Sequence, residues 1–195
     1  MMPKLTFKNI MNHWKTIRTH RKWVRYYAFL AGIPIRGLAH DLSKYNPIEF
    51  FESARFWVQG SSPINEAKRI NGISYAWMHH KSHNKHHYEY WMDNFDDGGI
   101  ARLMPEKPFV ELVCDYLAAG RAYRGYNFSY ASERDWWVNK RNKCAMNIHN
   151  KTMLDIIFSD LAMAECNTGC LSPEELIKTG YIQEVWKANA YVDKD

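Results

Sequence analysis

The chain has 195 residues, of which 46% are hydrophobic, 15% aromatic and 24% charged, with a net charge of +5. That mixture belongs to a globule with ample core and excludes a chain left unfolded for want of apolar surface. At about 100–200 residues per domain it predicts one domain over residues 1–195. No run approaches the ~18–20 uncharged apolar residues of a membrane span. The opening MMPKLTFKNIMNHWK has no apolar stretch followed by a small-residue cleavage site. A cytoplasmic protein without a membrane partner is therefore expected. Cys114, Cys144, Cys166 and Cys170 match neither a disulfide framework nor a C-x2-C zinc ribbon, and reduced, mostly buried thiols are expected.

Helical punctuation recurs along the chain. Residues 8–31 carry Ile17, Val24, Ala28 and Ala31 at helical spacing, closed by Gly32 and Pro34. Asn46-Pro47 followed by Glu49 reads as an N-cap, a proline at the first helical position and an acid in the first turn. Ser62-Pro63 repeats that grammar, and Ser172-Pro173-Glu174-Glu175 adds a capping box. Further helices are expected at about 73–92, 107–123, 133–146 and 149–166, with 93–105 as a loop. No convincing alternating strand occurs. The expected fold is all-α, a single domain of about seven helices.

Charge is uneven. Residues 1–40 hold eight Lys or Arg and no acid. After Ser172 the acids, Asp193 and Asp195 among them, outnumber Lys178, Lys187 and Lys194. A basic first helix suits an anionic substrate or nucleic acid, although a solvated face is the commoner meaning.

Four features carry chemistry. His20 lies three residues after Ile17 and four before Val24, on the apolar stripe with His13 rather than on the basic face. His40-Asp41 follows a short apolar approach, and adjacent residues on a helix diverge by about 100°, so the pair reaches one ion only from a bend or by straddling it. An imidazole and a carboxylate suit a borderline or hard divalent ion. Five of the nine histidines fall in residues 79–87. On one continuous helix His79, His83 and His86 would share a stripe, with His80, Asn84 and His87 on the next. Last, Asp115 sits among Leu112, Ala118, Ala119 and Ala122, where a buried carboxylate needs a cation or several donors; Asp160 is its rival.

This ordered set resembles the HD superfamily of helical metal-dependent phosphohydrolases. His20-Arg-Lys-Trp-Val24 resembles that family's early-helix histidine. Leu38-Ala-His40-Asp41-Leu-Ser-Lys44 resembles its doublet, with Ser43-Lys44 in place of the usual Gly-Lys. His86-His87-Tyr-Glu89, then Asp115 and Arg121-Ala-Tyr-Arg124, resembles the branch that cleaves cyclic dinucleotides, without its Gly-Tyr-Pro signature. The combination of HDLSK with HHxxxNxHHxEYW is also similar to a small uncharacterised family of bacterial and phage proteins. The likeness covers a core of about residues 15–125, with 126–195 as additional C-terminal helices.

The resemblance implies a phosphohydrolase that cleaves a phosphomonoester or phosphodiester through a metal-activated water, with a nucleotide among its candidate small phosphorylated substrates. His20, His40, Asp41 and Asp115 would hold one divalent ion, and His80 and His87 a second. Asp41 or Asp115 would bridge them, and His79, His83 and His86 carry less weight. Mn, Mg, Co, Fe, Ni or Zn all suit such ligands. Such an ion lowers the pKa of bound water toward ~7. The resemblance favours Asp115 over Asp160. Asp41, Lys44 and Glu89 are the expected catalytic residues, Glu89 as proton donor or histidine partner. Lys44, Arg121 and Arg124 would bind phosphate. Two other functions compete: a metal-stabilised binding protein for nucleic acid (the less favoured ligand) or a protein partner, and a di-iron oxygenase on the same scaffold.

Overall fold

The computed structural model describes residues 2–93, 95–167 and 169–190, so Asp193, Lys194 and Asp195 lie outside the described residues. The first helix, α1 (Phe7–Leu30), starts where the Thr6 side chain accepts from the Asn9 backbone N–H. Its inner stripe is His13, Ile17, His20, Val24, Tyr27 and Ala28. Gly32, at φ 70°, ends the helix in a conformation that suits glycine. Pro34, expected only to break α1, also opens a six-residue helix, α2 (Pro34–Ala39).

Asn46, with its side chain accepting from the Ile48 N–H, caps α3 (Pro47–Arg55), and α4 (Pro63–Asn71) also starts on a proline. Next is α5 (Tyr75–His83), which begins at Ser74 and is much shorter than the expected 73–92. Asn84 stops it. At φ −119°, ψ 104° its backbone is extended, and its amide donates to the His80 carbonyl and the Ser43 hydroxyl. Side-chain bonds of this kind offer the backbone an alternative to the helical ladder. The chain then turns through 84–87 into a 3-10 turn at Tyr88–Trp91.

The loop after that turn holds a minimal antiparallel ladder, β1 (Met92–Asp93) against β2 (Ile100–Ala101). The central helix is α6 (Glu106–Arg124), whose residues 108–118 are all buried. A helix buried all round belongs at the middle of a core, and α1 and α8 lie against the cluster built on Phe109, Leu112, Val113 and Leu117. Ser129 and Ser132 cap each other reciprocally and start α7 (Tyr130–Arg141) three residues before the expected position. The helices α8 (Ile148–Cys166), α9 (Pro173–Lys178, with the expected capping box) and α10 (Tyr181–Asn189) complete the described chain.

The fold is all-α apart from the two-residue strands, with ten α-helices among the described residues against about seven expected. Several of the extra ones are short, six to nine residues, and lie at proline starts or after glycine. Among the described residues no helix is long and apolar enough to cross a membrane. All four cysteines are free, but only Cys114 and Cys144 are buried; Cys166 and Cys170 are exposed, which corrects the expectation of mostly buried thiols.

Candidate metal centre

Four stretches of chain meet around Asp41. His40 ends α2 in an extended conformation, and Asp41 follows at φ 54°, ψ 29°, the one non-glycine residue with positive φ among those described. That reversal is the bend the doublet needs. It sends both side chains to the same point, and Asp41 is 1% exposed. Across from it, α1 presents His20 and α6 presents Asp115. The His20 Nε2 stands 3.0 Å from Asp115 Oδ1, 3.5 Å from Asp41 Oδ2 and 3.4 Å from His40 Nε2. The His40 Nε2 is 3.2 Å from Asp41 Oδ2 and 3.4 Å from Asp115 Oδ1.

On the other side of Asp41 lie the histidines of α5 and the turn after it. His80 Nε2 is 3.2 Å and His86 Nε2 3.4 Å from Asp41 Oδ1. His87 completes this set, its ring 4.2 Å from that of His86 and 4.7 Å from that of His80. Each set of four, His20/His40/Asp41/Asp115 and Asp41/His80/His86/His87, offers donor atoms that all lie within 4.8 Å of one another. Asp41 belongs to both.

His86 is therefore a correction. On one continuous helix only one stripe can face inward, which gives His86 less weight in the sequence than His80 and His87. The helix ends at His83, and the turn brings His86 and His87 in together. His79 instead places its Nδ1 2.6 Å from Glu49 Oε1, and His83 stacks on it in an exposed position.

Two carboxylates that sequence reasoning missed stand behind the histidines. The His40 Nδ1–H donates to Glu111 at 2.9 Å, and Glu111 also faces His86 Nδ1 at 3.3 Å and the Arg36 guanidinium at 2.7 Å. The His80 Nδ1–H donates to Glu49 at 2.7 Å. With Nδ1 spent on a carboxylate, Nε2 is the nitrogen left facing the centre, the arrangement that orients imidazoles around metal ions. Glu111 lies one turn before Asp115 on α6, so both project from one face. That i, i+4 pair in an otherwise apolar helix was the available signal.

The electrostatics are those of a centre crowded with both signs. Burial works to raise the Asp41 pKa, but His40, Lys44 and His80 outweigh it and hold the carboxyl well below its ordinary value. Asp115 is likewise buried and likewise held down, by His20 and His40. Glu111 falls to about 2, its burial overcome by bonds from His40 and His86. Burial pushes His40 toward neutrality, yet Asp41, Asp115 and Glu111 keep it well above the usual imidazole range. His87 goes the other way, well below it, through burial and the neighbouring His86 and His80.

These groups fit a divalent cation. Neither Asp41 oxygen receives a well-directed hydrogen bond, although Lys44 Nζ lies 2.6 Å from Oδ2, and the buried His86 and His87 Nε2 atoms are also without partners. Donors bound at ~2.0–2.2 Å stand roughly 3.0–3.6 Å apart around a tetrahedral or octahedral ion. The separations of 3.0–3.5 Å around His20 fall in that range. Imidazole nitrogen with carboxylate oxygen suits Mn, Fe, Co, Ni or Zn better than a purely oxygen-seeking ion.

The remaining expected residues divide. Glu89 lines a cavity of about 650 Å³ whose wall includes Asp115 and His87, and its Oε2 is buried without a partner. Arg124 lines the same cavity, paired with Glu133. Lys44 lines a smaller cavity of about 150 Å³ with His13, His20 and Tyr123. Arg121 is not brought to the centre: it donates to the Tyr27 hydroxyl and Glu174 and lies over the Trp23 and Phe128 rings. Asp160, on α8, accepts from the Tyr181 hydroxyl at the start of α10 and belongs to neither set.

Fold and site together define an all-α protein with a buried His/Asp cluster that could hold a metal ion. A sequence family described as "Family of unknown function (DUF5662)" matches residues 9–162, and the chain belongs to it. The matched range contains every residue of the cluster and ends within α8. No curated protein and no solved structure matches the chain. The family's description carries no activity, so the likeness to the HD superfamily rests on the motifs alone.

Proposed function

We propose that the protein is a metal-dependent phosphohydrolase that cleaves a phosphomonoester or phosphodiester, working with a pair of divalent ions that share Asp41. The observation that carries this reading is the double donor set, with its imidazoles backed by Glu49 and Glu111, beside a cavity large enough for a small phosphorylated substrate. His20, His40 and Asp115 would hold one ion with Asp41, and His80, His86 and His87 the other. Ions held there supply Lewis-acid polarisation of a phosphoryl oxygen and a lowered pKa for water.

The chain's own groups do the rest. Lys44, kept cationic by the adjacent Asp41 and by Asp115 against the pull of burial, offers a point charge to a phosphoryl oxygen. Glu89 lines the 650 Å³ cavity and would pass a proton to the leaving oxygen. Trp77, Tyr116 and Trp136 are among the residues that wall the cavity.

Turnover of a phosphoester panel with Mn²⁺, Co²⁺ or Mg²⁺ tests the reading. Activity is expected in at least one pairing and is expected to fall to background in His40→Ala and in Asp41→Ala. A metal-loaded, folded protein inert over the whole panel contradicts it. If that protein contains iron, absorbs in the near-UV to visible range and consumes O₂, the oxygenase takes its place.

A further inference from the structure

The 650 Å³ cavity has two lysines in its wall that the cleavage step does not use. There, α4 contributes Lys68, α5 Trp77, and α7 Trp136 and Lys140. Lys68 Nζ lies 5.0 Å from the centre of the Trp77 ring. Lys140 Nζ lies 4.8 Å from the Trp136 ring and 4.6 Å from that of Tyr116. An ammonium over an indole face is held in place without being neutralised. Among the described residues no ion pair joins either lysine to a carboxylate, whereas Arg124 on the same wall is already matched by Glu133.

Two like charges in one cavity, each over an aromatic ring, with Lys140 also donating to the Tyr116 hydroxyl at 3.4 Å, have no carboxylate within ion-pair distance among the described residues. Burial is the largest influence lowering both lysines' pKa values, and Lys81 and then Lys140 add repulsion at Lys68; Glu89 opposes this in both cases from beyond ion-pair distance, joined at Lys140 by Cys144 and Asp115. The same cavity is lined by Asp115 and His87 of the metal centre, and the Trp77 ring under Lys68 lies 4.9 Å from that of His87, so a molecule held by the lysines lies beside the centre.

We propose that Lys68 and Lys140 seat a second anionic group of the substrate, so that the protein takes phosphoesters bearing a further phosphate or carboxylate besides the group being cleaved. The inference rests on reading the centre as a phosphoesterase site. Neither lysine belongs to the motifs that carried the HD-type resemblance.

The test titrates a nucleoside 3′,5′-bisphosphate and the matching 5′-monophosphate into the full chain, following tryptophan fluorescence in the presence of chelator. The bisphosphate is expected to bind at least ~10-fold more tightly, with an affinity that falls as salt rises. That advantage is expected to vanish in Lys68→Gln/Lys140→Gln and to return in Lys68→Arg/Lys140→Arg; thermal melts report whether each variant is folded. Equal affinity for the two nucleotides in the wild type overturns the proposal, as does an advantage that survives in the folded Gln variant. Failure of the metal centre shows separately, as absent metal and absent turnover while the lysine-dependent binding persists.

Discussion

Asp41 occupies a left-handed backbone conformation in which Asp is tolerated but uncommon. Its return is that one residue faces four imidazoles and an ammonium at once. The histidines are held from behind, and this gives a prediction for residues that touch no substrate. Glu111→Gln removes the charge that fixes His40 and His86, and metal affinity is expected to fall by about 10–100-fold. Competition with a chromogenic chelator measures it, and unchanged affinity would remove Glu111 from the account. His13 supplies a pH prediction away from the ligands. Burial, helped by the charge of Lys44, lowers its pKa to about 4, and its Nδ1 has no partner. The unfolded chain takes up that proton below about 6.5 and the folded chain only near 4. Stability is therefore lost as pH falls through that window, by up to about 3 kcal/mol from this group. Denaturant titrations between pH 4.5 and 6.5 are expected to show a shallower pH slope in His13→Gln than in wild type, and equal slopes would contradict the assignment. At this scale the sequence was informative where a residue type was out of place. A histidine in an apolar stripe and an aspartate among alanines announced themselves, whereas Glu111 and Glu49 looked like ordinary helix acids until their partners were known.

At the scale of elements, α1 and α2 must pack closely enough to bring the doublet beside His20. Gly37 allows it: a Cβ there would stand 2.5 Å from the Ala28 Cβ. Gly37→Ala is expected to cost about 1–3 kcal/mol and to weaken metal binding together with stability. Calorimetry of the variant checks this, and a wild-type melting profile would mean that the two helices separate freely. The long helices α1, α6 and α8 were legible because their apolar periodicity runs for many turns. The histidine-rich helix was misread because Asn84, which fits a helical pattern by spacing, ends α5 through bonds to His80 and to Ser43 on a different segment. No local pattern contains that second contact. The start of α2 was missed for a related reason, since a proline that stops one helix can also occupy the first position of the next.

For the whole molecule, the cluster draws its donor groups from α1, the α2–α3 connection, α5 with its following turn, and α6. An ion bound there links elements up to 95 residues apart in the chain, His20 to Asp115. Binding to the folded chain alone raises its unfolding free energy, by ~2.7 kcal/mol at 100 times the dissociation constant. Thermal melts are expected to rise with Mn²⁺ or Co²⁺ and to return with chelator, and melts indifferent to both would place the ions elsewhere. Because one carboxylate serves both donor sets, the most direct measurement is the metal stoichiometry of untagged protein and of Asp41→Asn, by equilibrium dialysis with elemental analysis. Two ions per wild-type chain and none retained by the folded variant is the predicted result. A wild-type chain that binds no ion, or an Asp41→Asn chain that keeps both, would contradict it.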